Sequence, residues 1–94
     1  MSYTAIETKT KPQGTKWFGS VEPDTALRAD AILNSATGFI SVDKVRTRNN
    51  VVRTYVFDTK ANFTAYLSAR SSNADEIARQ NYNTANGIVT TLEQ

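Results

Sequence analysis

Residues 38–58 read GFISVDKVRTRNNVVRTYVFD. Two β-rich runs flank Asn49-Asn50, the residue type that after glycine best tolerates the positive φ angles of a two-residue hairpin turn. Taking those two as the turn pairs Arg48 with Val51, Arg46 with Arg53, Lys44 with Tyr55 and Val42 with Phe57. Paired residues point to the same side of a sheet. One face then carries Ile40, Val42, Tyr55 and Phe57 near its base, and Lys44, Arg46, Arg48 and Arg53 toward its tip. The other carries Phe39, Val45, Thr47, Val52, Thr54 and Val56, with Asp43 and Asp58. A sheet with one wet side alternates more cleanly than this. Both sides of the hairpin are therefore expected to be at least partly covered.

Working outward, the pattern on the N-terminal side is helical. Pro23 suits the first turn of a helix, and Asp24 sits at the positive end of its dipole. Ala29, Ile32, Leu33 and Ala36 recur at i, i+3, i+4 and i+7, which predicts a helix over Asp24–Thr37 with Gly38 as the left-handed residue after its end. Before it, KPQGTKWFGSVE (11–22) reads as a long connection punctuated by Pro12, Gly14 and Gly19. It carries the only tryptophan, Trp17, beside Phe18. YTAIETKT (3–10) reads as a first strand.

On the C-terminal side, Asp58 or Thr59 can cap a second helix, in which Phe63, Tyr66, Leu67 and Arg70 share one face. Ser71-Ser72-Asn73 interrupts it. Asn73 and Glu76 have capping-box spacing, and a third helical piece places Ala74, Ile77, Ala78, Tyr82 and Ala85 on one side. Asn86-Gly87 ends it, and IVTTLE (88–93) reads as a last strand. No internal repeat or low-complexity run interrupts the chain.

The order strand, helix, strand, strand, broken helix, strand predicts an α+β, ferredoxin-like βαββαβ domain spanning residues 1–94. Its four-stranded antiparallel sheet would carry helices on one face, with the first and third strands in the middle. A chain of 94 residues buries only about two-thirds of its unfolded surface. The expected cover for the second face is the same face of another copy, so a homodimer is expected.

Composition narrows the chemistry. Cysteine is absent, which rules out disulfides, thiolate nucleophiles and zinc–sulfur sites. Histidine is absent too, which excludes haem ligation by imidazole and any Ser–His mechanism. The net charge of +2, from eleven basic and nine acidic residues, does not argue for nucleic acid. No apolar run approaches the ~18 residues of a membrane span. MSYTAIETKTK (1–11) shows no apolar core of a signal peptide. A cytoplasmic protein without metal or cofactor is the expectation.

Two groups of residues stand out as candidate sites. Lys44, Arg46, Arg48 and Arg53 share one face of the hairpin tip, with Arg46 opposite Arg53. Like charges so opposed destabilise a sheet unless something neutralises them. Solvent, acidic residues of a partner subunit or an anionic ligand held by Arg forks would each serve. Trp17, with Phe63, Tyr66 and Tyr82, would line a pocket for a small molecule; Trp17 and Phe18 would otherwise plug the edge of the core. Asp43 and Asp58 lie in different parts of the hairpin and do not form an acid–base pair. No catalytic residue is assigned.

From Thr37 to Gly87 the chain resembles the dimeric α+β barrel superfamily, the group that includes the antibiotic-biosynthesis-monooxygenase-like proteins. The resemblance rests on Gly38-Phe39 opening the second strand in TGFISVDKV. It rests also on Phe57-Asp58-Thr59 passing into a helix with Phe63 and Tyr66 one turn apart, and on the broken second helix. The Trp17-bearing connection TKPQGTKWFG lies outside the general pattern and suggests a distinct branch. The resemblance implies two sheets meeting back to back, with any ligand pocket beside each sheet. Haem-using branches need a histidine, which this chain lacks. Cofactor-free oxygenases of the group often rely on Asn and Trp, and none of their functional positions aligns with a residue here. Three functions follow: a small-molecule-binding dimer, a cofactor-independent monooxygenase-like enzyme, or a purely structural or regulatory dimer. The RNA-recognition domain shares the element order. However, its main motif belongs on the third strand and GFISV lies on the second. Acylphosphatases need a Gly-rich phosphate loop with an Arg after the first strand, which KPQGTKWFG does not supply.

Overall fold

A computed structural model describes residues 2–94. Strand β1 (Tyr3–Thr10) is followed by a single helical turn, α1 (Phe18–Val21), inside the connection, and by α2 (Pro23–Asn34). The hairpin β2 (Phe39–Arg46) and β3 (Asn50–Phe57) comes next. Helices α3 (Lys60–Ser71) and α4 (Ala74–Ala85) and strand β4 (Val89–Glu93) complete the chain. The sheet is antiparallel throughout in the order β2-β3-β1-β4, so the first and third strands are central as expected. Helices cover one face only. Among the described residues no helix is long and apolar enough to cross a membrane.

Of the two cap candidates for α3, Thr59 rather than Asp58 takes the position, and Asn73 caps α4 as expected. The Thr59 hydroxyl accepts the Asn62 N–H at 3.2 Å and starts α3, and the Asn73 side chain accepts the Asp75 N–H at 2.9 Å and starts α4. Helix α2 stops at Asn34, three residues before the predicted end, in a turn closed by Ala36 N–H to Leu33 C=O at 3.1 Å. Gly38 lies beyond that turn at φ +80°. Its carbonyl accepts the Asp58 N–H at 2.8 Å, and a Cβ there would run into the Asp58 carboxylate.

The hairpin register differs from expectation by two residues. Arg46 pairs with Val51, Lys44 with Arg53 and Val42 with Tyr55. The turn residues are Arg48 and Asn49, closed by Thr47 N–H to Asn50 C=O at 2.9 Å. Among the described residues none but glycine adopts a positive φ. The reason is long-range: Asn49 and Asn50 are already engaged by the end of β1. Lys11 N–H donates to the Asn49 carbonyl at 2.9 Å, and Thr10 Oγ1 donates to Asn50 Oδ1 at 2.8 Å. Arg46 therefore faces a valine across the ladder, and the like-charge opposition falls on Lys44 and Arg53. A bulge between Phe39 and Ser41 makes the second correction. It turns Phe39 inward, edge-on to Phe57 with ring centroids 5.8 Å apart, and leaves Ile40 56% exposed.

The core lies beneath the first half of β1 and the second half of β3. Ala5, Leu33, Tyr55, Phe57, Phe63 and Tyr66 form it, with Phe57 and Phe63 fully buried and 5.4 Å apart between centroids. Helix α4 contributes a polar face. Glu76 and Asn83 are buried, while Ala74, Ala78, Ala85 and Ile77 of the predicted apolar stripe are exposed. Glu76 does not close a capping box either, because its carboxylate takes Arg79 and Arg70 instead. The cause is what α4 packs over, the charged half of the sheet described next.

Candidate ligand cavity beside the sheet

Alternation along β1 places Tyr3, Ala5, Glu7 and Lys9 on the helix-covered face, and the last three are buried. Pairing with β3 and β2 continues this face in rungs. Ala5 meets Tyr55. Glu7 meets Arg53, which meets Lys44. Lys9 meets Val51, which meets Arg46. The inner face thus divides into an aromatic half and a charged half. Over the charged half the layers part around a cavity of about 210 Å³. Trp17 and Phe18 from the connection, Leu33 from α2, Tyr66 and Arg70 from α3 and Glu76 and Arg79 from α4 line it above the sheet.

A polar network binds sheet to helices along this lining. Glu7 is 3% exposed. Its Oε2 accepts from Arg70 Nη2 at 3.0 Å, its Oε1 accepts from the Tyr55 hydroxyl at 3.3 Å, and Arg53 stands 3.8 Å away. Arg70 also reaches Glu76 at 4.0 Å, and Arg79 holds Glu76 at 2.9 Å. Burial pushes the Glu7 carboxyl up, but Lys9 and Arg70 outweigh it and hold the pKa below the usual carboxylate value. Burial raises the Tyr55 and Tyr66 hydroxyls, so both stay neutral donors at ordinary pH. Lys9 is 8% exposed. Burial lowers its ammonium to about 8 against the pull of Glu7. Burial, then Arg53 and Arg46, lower Lys44 as well.

The two groups singled out in the sequence meet here. Trp17 and Tyr66 line the cavity together with Lys44, Arg46 and Arg53. Arg48 does not, because it occupies the exposed turn. Phe63 lies in the core, with Tyr3, Tyr55 and Phe57 around it, and has no cavity surface. Tyr82 stands behind the lining. Its ring packs on Phe18 at 5.4 Å and its hydroxyl donates to the Lys16 carbonyl at 2.7 Å, so it anchors the loop that presents Trp17. Glu7, Lys9, Arg70, Glu76 and Arg79 were not singled out. For Glu7 and Lys9 the signal was present in their phase with Tyr3 and Ala5, and for Arg70 in its place one turn beyond Tyr66 and Leu67.

No family model and no curated protein matches the chain. Similarity appears among solved structures. SnoaB, a cofactor-independent oxygenase from Streptomyces nogalater, aligns with a TM-score of 0.62 at 15% identity, over 99% of this chain and 91% of that one. A candidate antibiotic biosynthesis monooxygenase from Deinococcus radiodurans gives 0.64 at 8% identity, over 100% and 91%. A dabb family protein with a ferredoxin-like fold from Mesorhizobium loti gives 0.51 at 13% identity, over 97% and 95%. At these identities the likeness is one of fold, and the fold of this chain is the ferredoxin-like α+β fold that these structures share.

Proposed function

We propose that this protein is a small homodimeric α+β barrel that binds a small organic molecule in the cavity beside its sheet. The observation that carries this reading is the cavity itself. Its lining combines apolar surface from Trp17, Phe18 and Leu33 with charged groups that converge from the sheet, α3 and α4, so that it offers both burial and polar contacts to a ligand. A purely structural dimer would gain more from filling that space than from leaving buried charges around it. The dimer is supported by the opposite face of the sheet. Val45 and Val89 are 53% and 59% exposed there, on the side where Ile6, Val52 and Val56 also point.

Ligand binding is tested through Trp17, the only indole in the chain. A metabolite panel is titrated while its fluorescence is followed. Saturable changes that disappear in Tyr66→Ala support the reading, and an unresponsive Trp17 across the panel counts against it. The fold shared with SnoaB supports a second reading, oxygen chemistry on the bound molecule. Oxygen uptake with any ligand found in the panel tests that.

A further inference from the structure

The cavity holds more positive charge than its carboxylates neutralise. Glu7 is taken by Arg70, Glu76 by Arg79 and Asp75 by Arg28, and the remaining lining carboxylate, Asp30, acts on Lys44. Among the described residues no carboxylate comes within ion-pair distance of Lys9, Lys44 or Arg46, and all three line the cavity. Lys44 and Arg46 have solvent to turn to. Lys9 is buried, and the carboxylates that pull on it, Glu7 and Glu76, are already paired with Arg70 and Arg79; a buried ammonium without a counter-charge of its own is costly unless something else neutralises it.

The register says where that partner would sit. Lys9, Val51 and Arg46 form one rung of the inner face, with buried Val51 in the middle. The outer two Cα atoms stand two strand spacings apart, roughly 10 Å. Two long cationic side chains can close on a single acidic group over Val51 from that distance. Trp17 and Phe18 on the same lining offer apolar surface for the remainder of a ligand. Glu7, Glu76 and Asp30 on the same lining would repel a second or third negative charge, which disfavours phosphate esters and nucleotides.

We infer that the cavity takes an organic monoanion, a carboxylate on a small apolar skeleton, with its acid group over Val51 between Lys9 and Arg46 and its skeleton against Trp17 and Phe18. This rests on the ligand-binding reading above and names the class of ligand.

The test titrates the full ¹⁵N-labelled chain with 2-naphthoate and with the neutral 2-naphthamide, following the single Trp17 indole N–H resonance. The carboxylate is expected to bind at least tenfold tighter than the amide. That preference should fall below threefold in Arg46→Gln, an exposed substitution compatible with folding, and in Lys9→Met. Equal binding of acid and amide overturns the monoanion assignment and leaves the ligand-binding reading standing. An undiminished preference in both variants overturns the placement over Val51. No response of Trp17 to either compound overturns both readings.

Discussion

Glu7 on β1 and Arg70 near the end of α3, 63 residues apart in the chain, meet through a 3.0 Å charge-assisted hydrogen bond that ties the sheet to the helix layer. Arg70→Met would leave the Glu7 carboxylate buried with only the more distant Arg53 and Lys9 to balance it. Losing one partner of such a pair costs about 3 kcal/mol. Glu7 is held below its usual pKa of 4.5, so the stability it contributes is present above that value and lost as pH falls through the lowered one. Urea unfolding of wild type and Arg70→Met should therefore show a large gap at pH 7 that shrinks below pH 4.5. A gap independent of pH would mean that packing, and not the charge pair, is what Arg70 supplies.

Lys9 works in the opposite sense. Its ammonium titrates at about 8 in the folded protein against 10.5 when free. Glu7 and Arg53 face it from the sheet, and Glu76 and Arg79 from α4. Between those two values the unfolded chain binds one proton more than the folded one, so this residue makes wild-type stability rise with pH. Below about 8 the charged form is a burden on the fold. Lys9→Met should be more stable than wild type at pH 7, by about 1–2 kcal/mol, with the difference narrowing toward pH 10. Thermal melts at pH 7, 8.5 and 10 measure it. A variant that gains stability while losing the naphthoate preference marks Lys9 as kept for binding at the expense of the fold.

Gly38 and Gly14 separate backbone strain from steric conflict. Both have positive φ, +80° and +86°, but a Cβ on Gly38 meets Asp58 and Asn62 while one on Gly14 meets nothing within 4 Å. Gly14→Ala should cost about 1 kcal/mol, the strain alone. Gly38→Ala should cost at least twice that, because the β2–β3 base must open. Melting temperatures of the two variants decide it, and equal losses would contradict the close approach of Gly38 to the start of α3.

Val45 and Val52 pair on the sheet face that no helix covers. If that face meets a second copy, wild type should scatter light as a dimer at micromolar concentration. Val45→Asp should then give a folded monomer, because an unpaired charge cannot be buried in an apolar interface. Wild type at monomer mass would sink the barrel proposal.

How much of this was legible beforehand depends on the range of the interactions involved. The periods of 2 and 3.6, the caps at Thr59 and Asn73 and the glycine before β2 are properties of a few consecutive residues, and they were enough to place all four strands and the βαββαβ order. The turn falls one residue before the position that the conformational tolerance of Asn49 and Asn50 suggests, because Lys11 and Thr10, 38 and 40 residues earlier, engage them. The shift by two residues preserved the face of every hairpin side chain beyond the bulge, which is why Lys44, Arg46 and Arg53 still point together.

Sequence alone thus determined the four strands, the three longer helices, their order and the sharing of one side by the basic residues of β2 and β3, because alternation and helical spacing are local; the turn α1 inside the connection was not among them. Only the tertiary structure decided that this side is the helix-covered one and that it is shared with Trp17 and Tyr66. It also decided that Glu7 and Lys9 complete it and that α4 turns Glu76 and Asn83 inward in place of its alanines. A buried charge is tolerable only beside the groups that balance it. Those groups come from β1, α3 and α4, which folding alone brings to one place.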